Sequence, residues 1–144
     1  MNVLWANKGP RVTNKDDGAR ILLVDDDFLV SETLSAILQQ AGYVTMTVDN
    51  GDAGLKELRS QNFDLVITDI MMPRKDGIET ILEIRRNNPL QKIVAISGGS
   101  VEVDLDYLEY AQKLGADGVL YKPINREQLL TMVGPLVKTQ DPAS

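Results

Sequence analysis

The chain has 144 residues, a formal net charge of −6, and neither cysteine nor histidine. That length suits one domain able to bury a core without covalent staples. The missing cysteine excludes disulfides and thiolate metal sites, and the missing histidine removes the commonest general base and zinc ligand.

Residues 1–19 (MNVLWANKGPRVTNKDDGA) show no sustained periodicity and read as a flexible N-terminal extension. They carry Lys8, Arg11 and Lys15 against Asp16 and Asp17, a net +1, which leaves −7 on the remainder. An acidic domain without a basic cluster is a poor ligand for nucleic-acid phosphates, so no direct nucleic-acid partner is expected. No apolar run reaches the roughly 18–20 residues that span a bilayer. The start lacks the pattern of a signal peptide, so a cytoplasmic protein with no membrane contact is expected.

From Arg20 short apolar runs alternate with helical patterns. The first predicted strand, 21–24 (ILLV), runs straight into Asp25, Asp26 and Asp27. Val30, Leu34, Ile37, Leu38 and Ala41 then recur at helical offsets, and Gly42 stands where a helix end wants positive φ. A second strand, 44–48 (VTMTV), precedes a helix from about 51 to 61 capped by Asp49 or Asn50. The third strand, 64–68 (DLVIT), leads into Asp69; a helix from about 76 to 88 follows, and Pro89 stops it. Strand four, 92–97 (KIVAIS), ends on Ser97. Helix four is expected over about 104–114, ended by Gly115, and the length of SVEVDLDY (100–107) leaves room for it to shift. Strand five, 118–121 (GVLY), runs into Lys122-Pro123. The last helix starts at Asn125 with Gln128 as its capping-box partner and continues to about Lys138, with Gly134 and Pro135 as candidate kink points. Residues 139–144 (TQDPAS) read as a C-terminal tail, and no output domain is expected from them.

Five strand-then-helix repeats whose strands are apolar on both faces predict an α/β fold: a doubly wound, five-stranded parallel sheet between helices. In such sheets the working crevice lies beyond the carboxyl ends of the strands. That geometry sends Asp25 to Asp27, Asp69, Ser97 and Lys122 to one edge. Carboxylates converging there cannot all stay ionised without a cation, and an all-oxygen donor set fits Mg²⁺. Lys122 adds a point charge for a phosphoryl oxygen, and Ser97 a hydroxyl. A carboxylate nucleophile with these companions resembles a phosphoryl-transfer site. Periodicity alone leaves open whether the metal pair is 25/26 or 26/27.

ILLVDDD (21–27), DLVITDIMMPRKDGIE (64–79), IVAISGG (93–99) and GADGVLYKPI (115–124), in that order and spacing, resemble the receiver domain of two-component response regulators. The likeness covers about 20–138. It implies a flavodoxin-like (βα)5 fold with strand order 2-1-3-4-5. It implies that Asp69 is the phosphoacceptor, that Asp26 holds Mg²⁺ directly and Asp25 largely through water, and that the Met71 carbonyl is a further ligand. Ser97 matches the hydroxyl switch. Lys122, in a cis link to Pro123, matches the phosphate-binding lysine, and Gly77 the glycine that turns the loop after the phosphoacceptor. The register selects 25/26 and leaves Asp27 near the helix start.

The resemblance further implies a stand-alone phospho-accepting switch rather than an enzyme, with at most slow self-dephosphorylation. Its phosphodonor would be a histidine kinase or histidine phosphotransfer protein. Output would pass to a downstream protein target or through a homodimer of helix four, strand five and helix five. Three positions depart from the pattern: Val119 replaces an aromatic residue, Met71 a polar one, and Gly99 stands two residues after the switch. Tyr121, on the same strand face as Val119, is a candidate substitute for the aromatic. The alternative is a phosphorylation-independent pseudo-receiver, against which the complete Asp25, Asp26, Asp69, Ser97 and Lys122 set argues. A Mg²⁺-dependent aspartyl-phosphate phosphatase would need an acid/base carboxylate after Asp69, where IMMP (70–73) supplies none. A flavodoxin-like cofactor binder would need a phosphate nest where this chain places acids.

Overall fold

Val24 and Thr68 stand side by side in the sheet, and Asp69 is level with Ile96 on the next strand; this register decides what meets at the edge. The structure is a computed structural model and describes residues 18–70, 77–98 and 109–137. Its strands are β1 (Arg20–Val24), β2 (Val44–Val48), β3 (Leu65–Asp69), β4 (Ile93–Ser97) and β5 (Gly118–Tyr121). They form one parallel sheet in the order β2-β1-β3-β4-β5. The helices are α1 (Phe28–Gln40), α2 (Gly51–Ser60), α3 (Gly77–Asn87), α4 (109–113) and α5 (Arg126–Val137). This is the doubly wound flavodoxin-like architecture expected above.

Alternation along the strands splits the core in two. Leu22, Val24, Val66, Ile93 and Ala95 point to one face and pack with Leu55, Leu58, Ile81, Ile84 and Ala111 of α2, α3 and α4. Ile21, Leu23, Leu65, Ile67, Val94 and Ile96 point to the other and pack with Leu34, Leu38, Leu129 and Val133 of α1 and α5. The central strands are apolar throughout because helices cover both their faces. Each fully buried Leu or Ile contributes roughly 1.5–3 kcal/mol relative to exposure. The edge strands β2 and β5 are only partly covered.

Local chemistry sets the helix ends. Asp27 caps α1, its carboxylate accepting from the Leu29 and Val30 amides, so the helix starts at Phe28, two residues before the first periodic apolar position. Gly42 follows the α1 C-cap at φ +98. Asn50, not Asp49, caps α2 by accepting from the Ala53 amide at 2.8 Å. Asn125 and Gln128 form the expected box, with Gln128 N to Asn125 Oδ1 at 2.7 Å and Asn125 N to Gln128 Oε1 at 3.2 Å. Asn125 is therefore the cap and α5 begins one residue later, and Pro135 lies inside that helix. The third strand is shifted one residue from its predicted span and ends on Asp69 itself, because Asp69 is still paired in register with Ile96. At the opposite edge Arg85 donates to the Gly115 and Gln91 carbonyls and pairs with Asp117 at 3.0 Å, tying α3 to the starts of β4 and β5. Trp5, residues 104–108 of the expected fourth helix, Lys138 and the tail lie outside the described residues.

Candidate functional site

The register brings the chemistry together. Because Val24 pairs with Thr68, the next residues, Asp25 and Asp69, leave neighbouring strands at the same level. Ser97 and Tyr121 pair at the ends of β4 and β5, and the Lys122 amide donates to the Ser97 carbonyl at 2.7 Å. The Lys122-Pro123 peptide is cis, as the resemblance implied. Lys122 then reaches across the edge: its Nζ lies 2.7 Å from Asp69 Oδ2 and 3.0 Å from Asp25 Oδ2. Both carboxylates are buried, each residue only 4% exposed.

Asp25 is held from two sides. The Asp27 amide donates to its Oδ1 at 2.8 Å while Oδ2 faces the lysine. Burial pushes the Asp25 carboxyl above the usual carboxylate range; the Asp27 amide and Lys122 restrain that rise, and the charge of Asp69 adds to it. Burial also works against the Lys122 ammonium, but its carboxylate partners Asp69 and Asp25 outweigh it, and the lysine pKa is raised. Asp26 stands exposed on the rim. Asp25, Asp26 and Asp69 each bring one carboxylate oxygen within 4.8 Å of the others. Among the described residues one lysine, Lys122, lies within ion-pair distance of this group, and an all-oxygen donor set suits a small dication. Asp27 instead caps α1, and its carboxylate is not among the three that converge.

Ser97 is fully buried, and its Oγ has no hydrogen-bond partner among the described residues. A buried hydroxyl without a partner is costly, which marks Ser97 as unusual for a core serine. Asp25, Asp26, Asp69 and Lys122 meet at this edge, and Ser97 ends the neighbouring strand there; Met71 and Gly99 lie outside the described residues. Val119 packs against the α2–α3–α4 core, and Tyr121, half exposed, is level with Ser97.

Two glycines make the geometry possible. A Cβ on Gly77 would lie 2.3 Å from the Asp69 carbonyl oxygen and 2.5 Å from Ile70 Cα, so α3 can start this close to β3 only on glycine. Gly98 was not visible as functional, because a glycine after Ser97 reads as an ordinary turn. A Cβ there would lie 2.6 Å from Lys122 Cβ and 2.5 Å from its Cδ, so the lysine stem occupies the space a side chain would fill.

Residues 21–134 match the family model described as the response regulator receiver domain. The chain is 34% identical over 120 residues to a transcriptional regulatory protein CpxR homolog of Haemophilus influenzae, covering 83% of this chain and 51% of that protein. It is 34% identical over 118 residues to the CAI-1 autoinducer sensor kinase/phosphatase CqsS of Vibrio cholerae, covering 82% of this chain and 17% of that protein. The structure of the chemotaxis response regulator CheY4 of Vibrio cholerae superposes with a TM-score of 0.73 at 28% identity, covering 83% of this chain and 98% of that one. The chain spans about half the length, or less, of the curated relatives it matches.

Proposed function

The chain belongs to the response regulator receiver domain family of two-component systems, and on that premise we propose that it is a phospho-accepting switch with Asp69 as the acceptor. The observation that carries this reading is the Lys122 ammonium, set between the buried carboxylates of Asp69 and Asp25 at 2.7 and 3.0 Å with Asp26 on the rim. An Asp69 carboxylate oxygen attacks the phosphorus of a phosphohistidine on a histidine kinase or phosphotransfer protein. The new O–P bond forms as the N–P bond breaks, and the imidazole leaves with the electron pair and takes up a proton. Asp25 and Asp26, with the Asp69 carboxylate, would hold Mg²⁺, which when bound neutralises charge on the phosphoryl oxygens.

Lys122 leaves its Asp69 oxygen for the arriving phosphoryl group, and the Ser97 hydroxyl donates to that group. Both residues sit at the ends of β4 and β5, so their shift is passed to the α4–β5–α5 surface, where a downstream protein or a second copy would read it. In this reading the chain is a stoichiometric acceptor rather than an enzyme. The test is incubation with phosphoramidate and Mg²⁺ followed by intact mass. One added phosphoryl group is expected, lost in Asp69→Asn, while that variant keeps its circular dichroism spectrum. Labelling that persists in Asp69→Asn refutes the acceptor assignment. No labelling of the wild type refutes the switch in favour of a phosphorylation-independent interaction module.

A further inference from the structure

On the α1–α2 side of the acidic edge lies a pocket of about 390 Å³, and every charged side chain lining it is acidic. Lys122 balances Asp25, but Asp26, Glu32 and Asp49 face no lysine or arginine within ion-pair distance among the described residues. Such a cluster alone is commonly just solvated surface. Ser31 sets this one apart: it lines the pocket, is only 6% exposed, and its Oγ has no hydrogen-bond partner among the described residues. A buried hydroxyl left unpaired is costly, which marks the place of a missing polar partner. Phe28, 72% exposed at the first turn of α1, adds an aromatic wall.

The spacing of the acids tells which cation fits. Among the described residues, only Asp25, Asp26 and Asp69 form a group with carboxylate oxygens within 4.8 Å of one another. Glu32 and Asp49 do not join Asp26 in any such group, so the three cannot share one small dication, whose oxygen ligands sit at about 2.0–2.6 Å. A guanidinium group can bridge them. It is planar, its five N–H donors point apart toward separated acceptors, and its face stacks on an aromatic ring. An ammonium is a compact point charge and meets fewer of these partners at once.

We propose that this pocket receives a guanidinium group: the arginine side chain of the protein that docks over the phosphoacceptor edge. The arginine stacks on Phe28, donates to Asp26, Glu32 and Asp49, and gives a further N–H to the Ser31 hydroxyl oxygen. The identity of the docking protein rests on the phosphoacceptor reading of Asp69; the preference for guanidinium does not. Because the pocket shares Asp25 and Asp26 with the acidic edge, an arginine seated there would orient its protein beside Asp69.

The experiment titrates the ¹⁵N-labelled full chain, saturated with Mg²⁺, with N-acetyl-arginine-N-methylamide. The lysine analogue and sodium chloride at equal ionic strength serve as controls. Saturable amide shifts are expected at Ser31, Glu32, Asp49 and Ala53, with affinity about threefold or more above the lysine analogue's. The Glu32→Gln/Asp49→Asn double variant, altered only at exposed positions, is expected to lose about tenfold in affinity. Its phosphoramidate labelling at Asp69 is expected to stay unchanged. Shifts that follow sodium chloride, equal binding of the lysine analogue, or full affinity in the double variant would overturn the proposal and leave the acceptor assignment standing. Absent labelling beside intact arginine binding would overturn the acceptor reading and leave the guanidinium pocket standing.

Discussion

Removing the ammonium of Lys122 tests the electrostatics of the site most directly. In Lys122→Ala two carboxylates buried to within a few per cent of their surface lose the cation lying 2.7 and 3.0 Å away. Breaking a buried ion pair by deleting one partner typically costs about 3–5 kcal/mol, because a charge remains without compensation. That is a large share of the roughly 5–15 kcal/mol that holds a domain folded. The cost should depend on pH with a definite sign. Burial already raises the Asp25 carboxyl, and Lys122 is among the groups restraining it, so the variant's carboxyl rises further. A group whose folded pKa exceeds its unfolded value stabilises the fold below the unfolded value, and that contribution is lost as pH rises through the folded one.

Stability of Lys122→Ala, measured by urea denaturation with circular dichroism, is therefore expected to recover on going from about pH 7 to about pH 5. The slope would reach at most about 1.4 kcal/mol per pH unit for each proton taken up. In the wild type the raised lysine pKa contributes stability that is lost only in the alkaline range, so that group gives no such slope there. Millimolar Mg²⁺ should rescue the variant at neutral pH by replacing the missing charge. A loss below about 1 kcal/mol, equal at both pH values and insensitive to Mg²⁺, would refute the view that Lys122 compensates these carboxylates.

Other positions separate the roles assigned above. Asp26→Ala should weaken Mg²⁺ binding in a calorimetric titration more than Asp27→Ala does, whereas Asp27→Ala should cost about 1 kcal/mol of stability through the lost α1 cap; equal metal affinities would undo that division. Gly98→Val places a side chain where the Lys122 stem lies, 2.5 to 2.9 Å from its carbons, and is expected to slow phosphoramidate labelling while Mg²⁺ still binds. Labelling at the wild-type rate would show that the lysine position tolerates the crowding. Tyr121, level with Ser97 and half exposed, is expected to change environment when Ser97 engages a phosphoryl group. A ¹⁹F label at Tyr121 that does not shift on adding beryllofluoride would leave the switch to Ser97 and the following loop.

The order of strands and helices was legible in the sequence because helices bury both faces of β1, β3 and β4, which leaves unbroken apolar runs, and because caps such as Gly42 and Asn125 act within one turn. The same locality exposed Asp25, Asp69, Ser97 and Lys122 as strand-end residues that topology must gather on one edge. Other features depended on distance through space. β3 ends on Asp69 rather than before it because Ile96 across the sheet still pairs with it, and Asn50 rather than Asp49 caps α2 because its side chain is the one that meets the Ala53 amide. That Asp27 serves the helix while Asp25 and Asp26 stay with the site follows from the hydrogen bonds of the β1–α1 junction, since a strand buried on both faces has no polar face to set a register. The space Gly98 leaves for Lys122, the burial of Ser31 and the joining of Glu32 and Asp49 to Asp25 and Asp26 in one pocket have no signal in the sequence. A glycine that yields space to a lysine, and a serine whose hydroxyl is buried without a partner among the described residues, are defined only by what the fold packs around them.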